Sequence, residues 1–280
     1  MQNFILVLST TILSILPNNL SANDIPISRG DVYIHEISKN DYDNKIAYKK
    51  NQILTINRND RYFLMYGISY NNKSDIYPLT LSHDDLYLSI DINLTPKDFT
   101  KQYITIKNKY IQPSIIDLKR IKHEKETLNK ARQVWIDVNP DIDFIKPLNG
   151  IYTGFFGTER YYNGKKGRYH NGLDIAAPEG TYISAPSSGK IILTGDYYYN
   201  GKFVFLDHGR GLKSLFIHLS DVLVDKNEFV EKGQIIGKVG NTGASAGPHL
   251  HWSLIMNKAY INPKLFIDGT ISHYFHLKLE

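Results

Sequence analysis

Two residues with the chemistry of metal ligands stand four positions apart in the second half of the chain. They are His170 and Asp174, in the stretch Arg168-Tyr-His-Asn-Gly-Leu-Asp. An imidazole nitrogen and a carboxylate oxygen are both good ligands for zinc. Surface and capping residues also occur at this spacing, so the pair by itself is weak evidence for a metal site.

Three further histidines extend this chemistry. His249 and His251 alternate with Leu250, and side chains of a strand alternate between its faces, so both imidazoles are predicted to point to one side. An ordinary polar sheet face is the alternative for such a pair. His218 ends an apolar run, where an unpartnered imidazole is costly to bury. This pattern predicts a catalytic or a hydrogen-bonded histidine.

The absence of cysteine limits the metal chemistry that the chain can support. Without thiolates, a transition metal must be held by histidine and carboxylate side chains. The three histidine-containing groups supply those ligand types.

The three groups occur together and in the order of a known family. With them the sequence resembles the lysostaphin-type, or LytM-like, zinc metallopeptidases, which are peptidoglycan endopeptidases. The resemblance covers about residues 145–266. Its other matching segments are residues 172–178, 185–191, 230–237 and 240–243.

The resemblance assigns roles to five residues. It implies one Zn²⁺ per chain, held by His170, Asp174 and His251, with His218 and His249 as the two catalytic histidines. Three protein ligands leave a coordination position open for water. Histidine suits proton removal because its unperturbed pKa is about 6.5. His249 is interpreted as the general base and His218 as the group that stabilises the oxyanion, although the sequence also allows the reverse.

The resemblance also implies a reaction and a substrate. The expected activity is hydrolysis of amide bonds in the stem-peptide cross-links of peptidoglycan, during remodelling of the cell wall. Two alternatives remain open at this point: a non-catalytic wall-binding or amidase-activating factor, and a peptidase that cuts ordinary extracellular proteins such as glycine-rich ones.

Composition and pattern predict a mainly β protein. The 20 tyrosines among 280 residues favour strands over helices. The resemblance implies that the carboxy-terminal part is an antiparallel β-sandwich related to the lipoyl-type barrel-sandwich, with a duplicated hybrid motif. Short strand-like runs separated by Asn, Asp, Gly and Pro predict a small β-sandwich in the amino-terminal part.

Changes in composition and in apolar pattern along the chain predict four segments. Residues 1–22 are interpreted as a signal peptide and residues 23–113 as an amino-terminal β domain. Residues 114–139 lack glycine and carry Leu118, Ile121, Leu128 and Trp135 near a helical stripe, which predicts a linking helix. The zinc endopeptidase domain is predicted over residues 140–270. In related exported peptidases such amino-terminal domains position the enzyme or cover its groove, so latency is left open.

The beginning of the chain favours export. An apolar run over residues 4–16 precedes Pro17 and the sequence Leu20-Ser-Ala22, which predicts cleavage after Ala22. An uncleaved anchor is the alternative. The run is shorter than the ~20 residues that span a bilayer, so the mature protein is expected to be soluble and periplasmic rather than secreted.

The net charge of +5 is spread along the chain. This distribution argues against a nucleic-acid partner, while attraction to a polyanionic wall or membrane surface is expected. Peptidoglycan is the predicted partner.

Other aromatic residues and histidines receive weaker interpretations. Tyr161, Tyr162 and residues 197–199 are placed in loops beside the groove, where they either line it or pack as ordinary loop residues. His208 is placed in a turn. No function is assigned to it or to the remaining histidines, which are His35, His83, His123, His273 and His276.

Overall fold

A computed structural model describes residues 26–43, 53–83 and 86–276 of the chain. The predicted signal peptide lies outside the described residues. Among the residues that are described, no helix is long and apolar enough to cross a membrane.

Strands dominate the described chain, which confirms the mainly β class predicted from the sequence. In chain order the strands are β1 Val32–Ile37, β2 Leu54–Arg58, β3 Arg61–Gly67, β4 Ile76–His83, β5 Leu86–Asn93, β6 Lys101–Ile104, β7 Ile151–Gly154, β8 Glu159–Tyr162, β9 Lys165–Tyr169, β10 Leu173–Ala176, β11 Tyr182–Ser184, β12 Gly189–Tyr197, β13 Gly201–Gly209, β14 Leu212–Val222, β15 Phe229–Val230, β16 Ile235–Val239, β17 His249–Met256 and β18 Ala259–Ile261. The helices are α1 Lys39–Asp43, α2 Ile115–Arg132 and α3 Thr270–His276, with 3-10 helices at Asn108–Tyr110 and Pro263–Phe266.

The amino-terminal part contains two small antiparallel sheets. One has the strand order β1-β3-β2, and the other is the hairpin β4-β5. Asn59 and Asp60 connect β2 to β3 with φ values of 54° and 56°, the left-handed pair that a two-residue hairpin turn requires. Leu64 of the first sheet and Leu79 of the hairpin belong to one buried apolar cluster. The two sheets therefore pack against each other in two layers.

Helix α2 follows with a well-defined beginning. Ser114 caps it in a capping box, in which the Ser114 side chain accepts from the Asp117 amide and the Asp117 side chain accepts from the Ser114 amide. The predicted apolar stripe is confirmed at Leu128, which packs against a buried apolar cluster, and wrong at Leu118, which is exposed, and at Trp135, which lies beyond the helix. The buried Glu124 also fixes the helix, because its carboxylate accepts from the Tyr198 amide at 2.9 Å.

One large antiparallel sheet carries the second half of the chain. Its strand order is β15-β12-β13-β14-β17-β10-β7, with β16 paired to β11 and β14, and β18 paired to β17. The central strands are rich in apolar residues that are fully buried, among them Phe205, Phe216 and Trp252. Such burial stabilises the fold by about 1.5–3 kcal/mol for each large apolar side chain. It gives the site a rigid frame.

The amino-terminal sheet shares its core with this large sheet. Val32 and Phe63 belong to the same buried cluster as Leu173 and Trp252. Polar contacts join the same parts of the molecule: Asn257 donates to the Gly67 carbonyl at 3.0 Å and accepts from its amide at 2.6 Å. The two parts are therefore joined by a continuous core and by a pair of hydrogen bonds from one side chain to the main chain of the other part.

A third sheet also crosses between the two parts, in the order β6-β8-β9. Strand β6 pairs in parallel with β8, with Gln102 opposite Arg160 and Tyr103 opposite Tyr161. The placement of Tyr161 and Tyr162 in a loop is therefore wrong, because both end strand β8. This parallel pair brings the amino-terminal chain to the edge of the candidate site.

Candidate metal centre

His170, Asp174 and His251 form the centre of the site and come from neighbouring strands. Asp174 lies in β10 directly opposite His251 of β17. His170 stands just before β10, where its amide donates to the Thr158 carbonyl at 2.8 Å. Gly172 permits this approach, because a Cβ atom there would lie 2.8 Å from Nε2 of His251. Sheet pairing and a glycine thus bring the three side chains to one point.

The three candidate ligand atoms converge closely. His170 Nε2 lies 2.9 Å from Asp174 Oδ1 and 2.8 Å from His251 Nδ1. His251 Nδ1 also lies 2.8 Å from Asp174 Oδ1. All three side chains are buried, so solvent does little to screen the electrostatic interactions between them.

Outer hydrogen bonds fix which nitrogen of each imidazole carries a hydrogen. His170 Nδ1 lies 2.9 Å from the Phe155 carbonyl, which can only accept, so this nitrogen carries the hydrogen. His251 Nε2 lies 2.8 Å from Ser253 Oγ, whose own hydroxyl is directed at Asn171 Oδ1. Neutral imidazoles held in this way turn their lone pairs towards each other and towards a carboxylate. Three converging lone pairs fit a metal cation between them.

The second oxygen of Asp174 is held by an arginine. Arg160 of β8 donates from its guanidinium to Asp174 Oδ2, and both residues are buried. Its Nε donates to Gln102 Oε1 of β6 at 3.1 Å. Gly154 makes room for this contact, since a Cβ there would come within 2.6 Å of Arg160 and Asp174. A chain of polar contacts therefore runs from the amino-terminal part to the carboxylate.

His249 and His218 flank the three ligands. His249 Nδ1 donates to the Gly247 carbonyl at 2.8 Å, and its Nε2 lies 3.8 Å from Asp174 Oδ1. His218 Nδ1 donates to the Thr242 carbonyl at 2.8 Å. The two rings lie 5.0 Å apart between centroids. In both rings Nδ1 is thus bound to a carbonyl, and Nε2 is the nitrogen left to act in the site.

The backbone at His218 is unusual. Its φ of 68° lies in the left-handed region, which non-glycine residues seldom adopt. The residue falls at a register shift between β13 and β14, where a bulge redirects side chains. Its amide is nevertheless satisfied by the Asn200 carbonyl at 2.9 Å. Strain of this kind is common at functional sites, and here it turns an imidazole out of the strand pattern.

The electrostatics keep the carboxylate charged and two of the imidazoles neutral. Burial raises the pKa of Asp174, but the positive charge of His170 and His251 when they are protonated, together with the hydrogen bonds that they then donate, outweighs burial and holds this pKa well below its usual value. Burial lowers the pKa of His251 to about 4, against the opposing effect of Asp174. Burial, followed by the neighbouring His249 and His251, lowers the pKa of His218 to about 3. At neutral pH these two imidazoles are free to act as ligands or proton acceptors.

The structure brings together all five residues singled out in the sequence, and it adds partners that the sequence analysis missed. Arg160 and Gln102 have no spacing relation to Asp174, so no sequence signal could have found them. The prediction that His208 occupies a turn is wrong. It lies buried in β13, where Nε2 contacts Ser214 Oγ at 2.8 Å and Nδ1 contacts the Ser188 carbonyl at 3.0 Å.

The fold and the site together define a metallopeptidase-type domain: an antiparallel sheet with a three-ligand centre and two flanking imidazoles. Residues 168–263 match the model of Peptidase family M23. The chain thus contains a domain of this family. The matched segment includes all five residues of the site but neither Arg160 nor Gln102.

Several known proteins are similar to the chain. The Vibrio cholerae peptidoglycan DD-endopeptidase ShyA is 41% identical over 93 residues, which make up 33% of this chain and 22% of ShyA. The DD-carboxypeptidase/endopeptidase Mpg of Neisseria meningitidis is 40% identical over 96 residues, or 34% of this chain and 22% of Mpg. The chain thus aligns with about a fifth of the length of these relatives.

A solved structure extends the similarity beyond the matched domain. The structure of a candidate M23 peptidase from Pseudomonas aeruginosa is 29% identical, with a TM-score of 0.70, and the match covers 89% of this chain and 98% of the other. The likeness therefore includes most of the amino-terminal part described above.

Proposed function

We propose that the protein is an exported zinc-dependent endopeptidase that hydrolyses amide bonds in the stem-peptide cross-links of peptidoglycan. One observation carries the proposal: the three candidate ligand atoms lie within 2.9 Å of one another, beside two further imidazoles. The M23 domain supports the reaction class. The similarity to proteins named peptidoglycan DD-endopeptidases supports the substrate.

Zinc fits the three candidate ligands. Two imidazole nitrogens and one carboxylate oxygen are a usual set for catalytic zinc, and three ligands leave one position open. His170, Asp174 and His251 would hold the ion, while Phe155 and Ser253 orient the imidazoles from behind. A bound zinc ion would supply a Lewis acid that polarises the scissile carbonyl and makes water more acidic.

His249 is the proton acceptor in this proposal. The Gly247 carbonyl holds its Nδ1 hydrogen, so Nε2 is free to take a proton from the attacking water. The water oxygen bonds to the carbonyl carbon, the C–N bond breaks, and the proton passes from Nε2 to the departing amine.

His218 provides a second imidazole beside the reacting group. Its Nδ1 hydrogen is bound to the Thr242 carbonyl, and its low pKa keeps it neutral before reaction. Once its Nε2 has taken a proton from solvent, the ring can donate to a negatively charged oxygen, and it returns that proton to solvent when the charge is lost. His218 is therefore assigned to the stage at which charge develops on the substrate.

The test is digestion of purified peptidoglycan with the full mature chain. Mass spectrometry of the products is expected to show cleaved peptide cross-links, and chelation is expected to abolish the cleavage until zinc is restored. An elastin-like protein incubated in parallel separates a wall enzyme from a peptidase of ordinary proteins. A zinc-loaded chain that leaves peptidoglycan intact would contradict the proposal and favour a non-catalytic wall-binding factor.

The proposed location is the periplasm, and residues 1–22 are proposed to be a signal peptide that is removed during export. This part of the proposal rests on the apolar run and on Ala22 in the sequence. Amino-terminal sequencing of the protein recovered from a periplasmic fraction is expected to begin at Asn23. Recovery of the intact amino terminus in the membrane fraction would indicate an anchor instead.

A further inference from the structure

A segment from the amino-terminal half crosses beside the candidate metal centre. We call residues 101–110 the strap; they comprise β6 and the 3-10 helix Asn108–Tyr110. On one side the Asn163 side chain accepts from the Ile106 amide at 3.0 Å and donates to the Ile106 carbonyl at 2.9 Å. On the other side the Tyr198 hydroxyl donates to the Lys109 carbonyl at 2.6 Å. The strap is thus tied to two separate elements in the second half of the chain.

The strap forms one wall of a cavity of about 630 Å³. Thr105, Ile106, Lys107 and Tyr110 line it from the strap, and Asp196 and the loop of residues 241–246 line it from the large sheet. Clefts of this size commonly hold small-molecule or peptide ligands.

Two residues that line this cavity also contact the candidate catalytic histidines. Thr242 lines the cavity and accepts the Nδ1 hydrogen of His218 through its carbonyl. Ser245 also lines it, and its hydroxyl lies 3.2 Å from Nδ1 of His249. The cavity therefore lies next to the two imidazoles.

Two residues of opposite charge line the cavity from different elements. Lys107 of the strap and Asp196 at the end of β12 are exposed, and the ion pairs found among the described residues include neither of them. Arg120 lies near Asp196, but it pairs with Glu124 and donates to the main-chain carbonyl of Asp196. The two charged groups therefore remain available to a ligand.

We propose that this cavity is a substrate subsite for a zwitterionic peptide segment, in which Lys107 binds a free carboxylate and Asp196 binds a free ammonium group. The proposal rests on the proposed function, because it places the segment next to the scissile bond. Hydroxyl and amide groups of Thr105, Asn241 and Ser245 complete a polar lining suited to peptide groups. The strap, which lies outside the matched family segment, would thus select the substrate.

Binding of a cross-linked stem-peptide dimer tests the two charges separately. The dimer is used unmodified, with its carboxylates amidated, with its amines acetylated, and with both changes. The host is the full chain carrying His249→Ala, so that the dimer is not cleaved. Lys107→Ala is expected to raise Kd by about 3- to 10-fold for the unmodified dimer and to have no effect on the amidated one. Asp196→Asn is expected to raise Kd for the unmodified dimer by a similar factor and to have no effect on the dimer whose amines are acetylated.

Matched control variants come from the opposite end of β12. Asp225→Asn and Lys226→Ala change the same charges in an exposed loop that bonds to Ile191 at the start of that strand. They are expected to leave all four Kd values unchanged. Equal losses in the subsite variants and the controls, or losses that persist with the blocked dimers, would overturn the subsite.

Kinetics on the same dimer separate this inference from the proposed function. In the otherwise wild-type chain, Lys107→Ala and Asp196→Asn are expected to raise KM by a similar factor and to leave kcat within about twofold. A chain that binds with the expected charge dependence but cleaves nothing would refute the endopeptidase and retain the subsite. A chain that cleaves the dimer without any charge dependence would do the reverse.

Loosening the strap tests whether it is a binding wall or a cover. Asn163→Gly removes the side-chain bonds to Ile106 and keeps the left-handed backbone, since φ at Asn163 is 48°. Tyr198→Phe removes the bond to the Lys109 carbonyl. Both variants are expected to raise KM and lower kcat/KM. A rise in kcat/KM would show that the strap obstructs the substrate, and it would overturn the subsite.

Discussion

His249 and His251 are separated by a single residue, yet their surroundings give them different tasks. His251 Nδ1 lies 2.8 Å from both other candidate ligand atoms, whereas His249 Nε2 stays 3.8 Å from Asp174. We therefore expect His251→Ala to lose zinc and His249→Ala to keep it. His249→Ala should still lose activity by about 10² to 10⁴ if it removes the proton acceptor. Elemental analysis and peptidoglycan digestion of both variants measure these outcomes.

His218→Ala provides the comparison for this pair. It should retain zinc and lose activity, because its ring contacts His249 and His251 without joining the ligand atoms. Circular dichroism checks that each variant is folded. A metal-free His249→Ala together with a fully loaded His251→Ala would reverse the assignment of ligand and base.

His208 allows a pH prediction that does not involve the metal centre. Burial lowers its pKa to about 4 from an ordinary value of 6.5. The unfolded chain therefore binds a proton more readily than the folded one between these values, and stability falls as the pH drops through this window. The full effect approaches roughly 3 kcal/mol below pH 4, since each pKa unit corresponds to about 1.4 kcal/mol.

The variant His208→Asn isolates this effect, because asparagine can still donate to the Ser188 carbonyl but does not titrate. Thermal unfolding is measured for both proteins at pH 7.5 and pH 5. The amount by which the Tm of the wild type exceeds that of His208→Asn is expected to be smaller at pH 5 than at pH 7.5. An advantage of the same size at both values would contradict the account.

At the scale of elements, the sequence predicts those features that depend on local pattern. The alternation of His249 and His251 in a strand is one example, and the helix after Ser114 is another. The partner of β6 could not be predicted in this way. That partner, β8, lies nearly 60 residues further along the chain, and the residue pattern of β6 does not specify which strand it pairs with. The bulge at His218 is equally invisible, since its left-handed backbone arises from the pairing of β13 and β14.

The partnership of β6 with β8 leads to a prediction about metal affinity. Arg160 holds the outer oxygen of Asp174 and is itself held by Gln102 of β6. Arg160→Lys keeps the charge but cannot contact both partners, so it should weaken zinc binding by about 10- to 100-fold. Gln102→Ala should weaken it less. Competition with a chelator of known affinity measures both.

Arg168→Lys in β9 is the matched control, because Arg168 is exposed and carries the same charge on the adjacent strand. Its zinc affinity should equal that of the wild type. An Arg160→Lys protein with unchanged affinity would show that the arginine only supports the fold.

At the scale of the whole molecule, the amino-terminal part is built into the core of the family domain. Val32, Ile34, Leu54, Phe63 and Met65 lie in the same buried cluster as Trp252. Each such side chain contributes about 1.5–3 kcal/mol when buried. Their joint loss is comparable with the entire stability of a typical domain, about 5–15 kcal/mol.

A truncated chain that starts at Pro140 therefore should not behave as an uncovered enzyme. It retains residues 168–263 but loses the amino-terminal members of the buried cluster that contains Trp252, and it loses the Gln102 side chain that binds Arg160. We expect a lower Tm or aggregation, weaker zinc binding and slower digestion of peptidoglycan than in the mature chain. Co-expression of residues 23–139 with residues 140–280 should restore part of each property, because the missing contacts are non-covalent. A soluble, folded truncation that digests peptidoglycan faster than the mature chain would instead show that the amino-terminal part covers the site, since only removal of an obstruction can raise the rate while these contacts are lost.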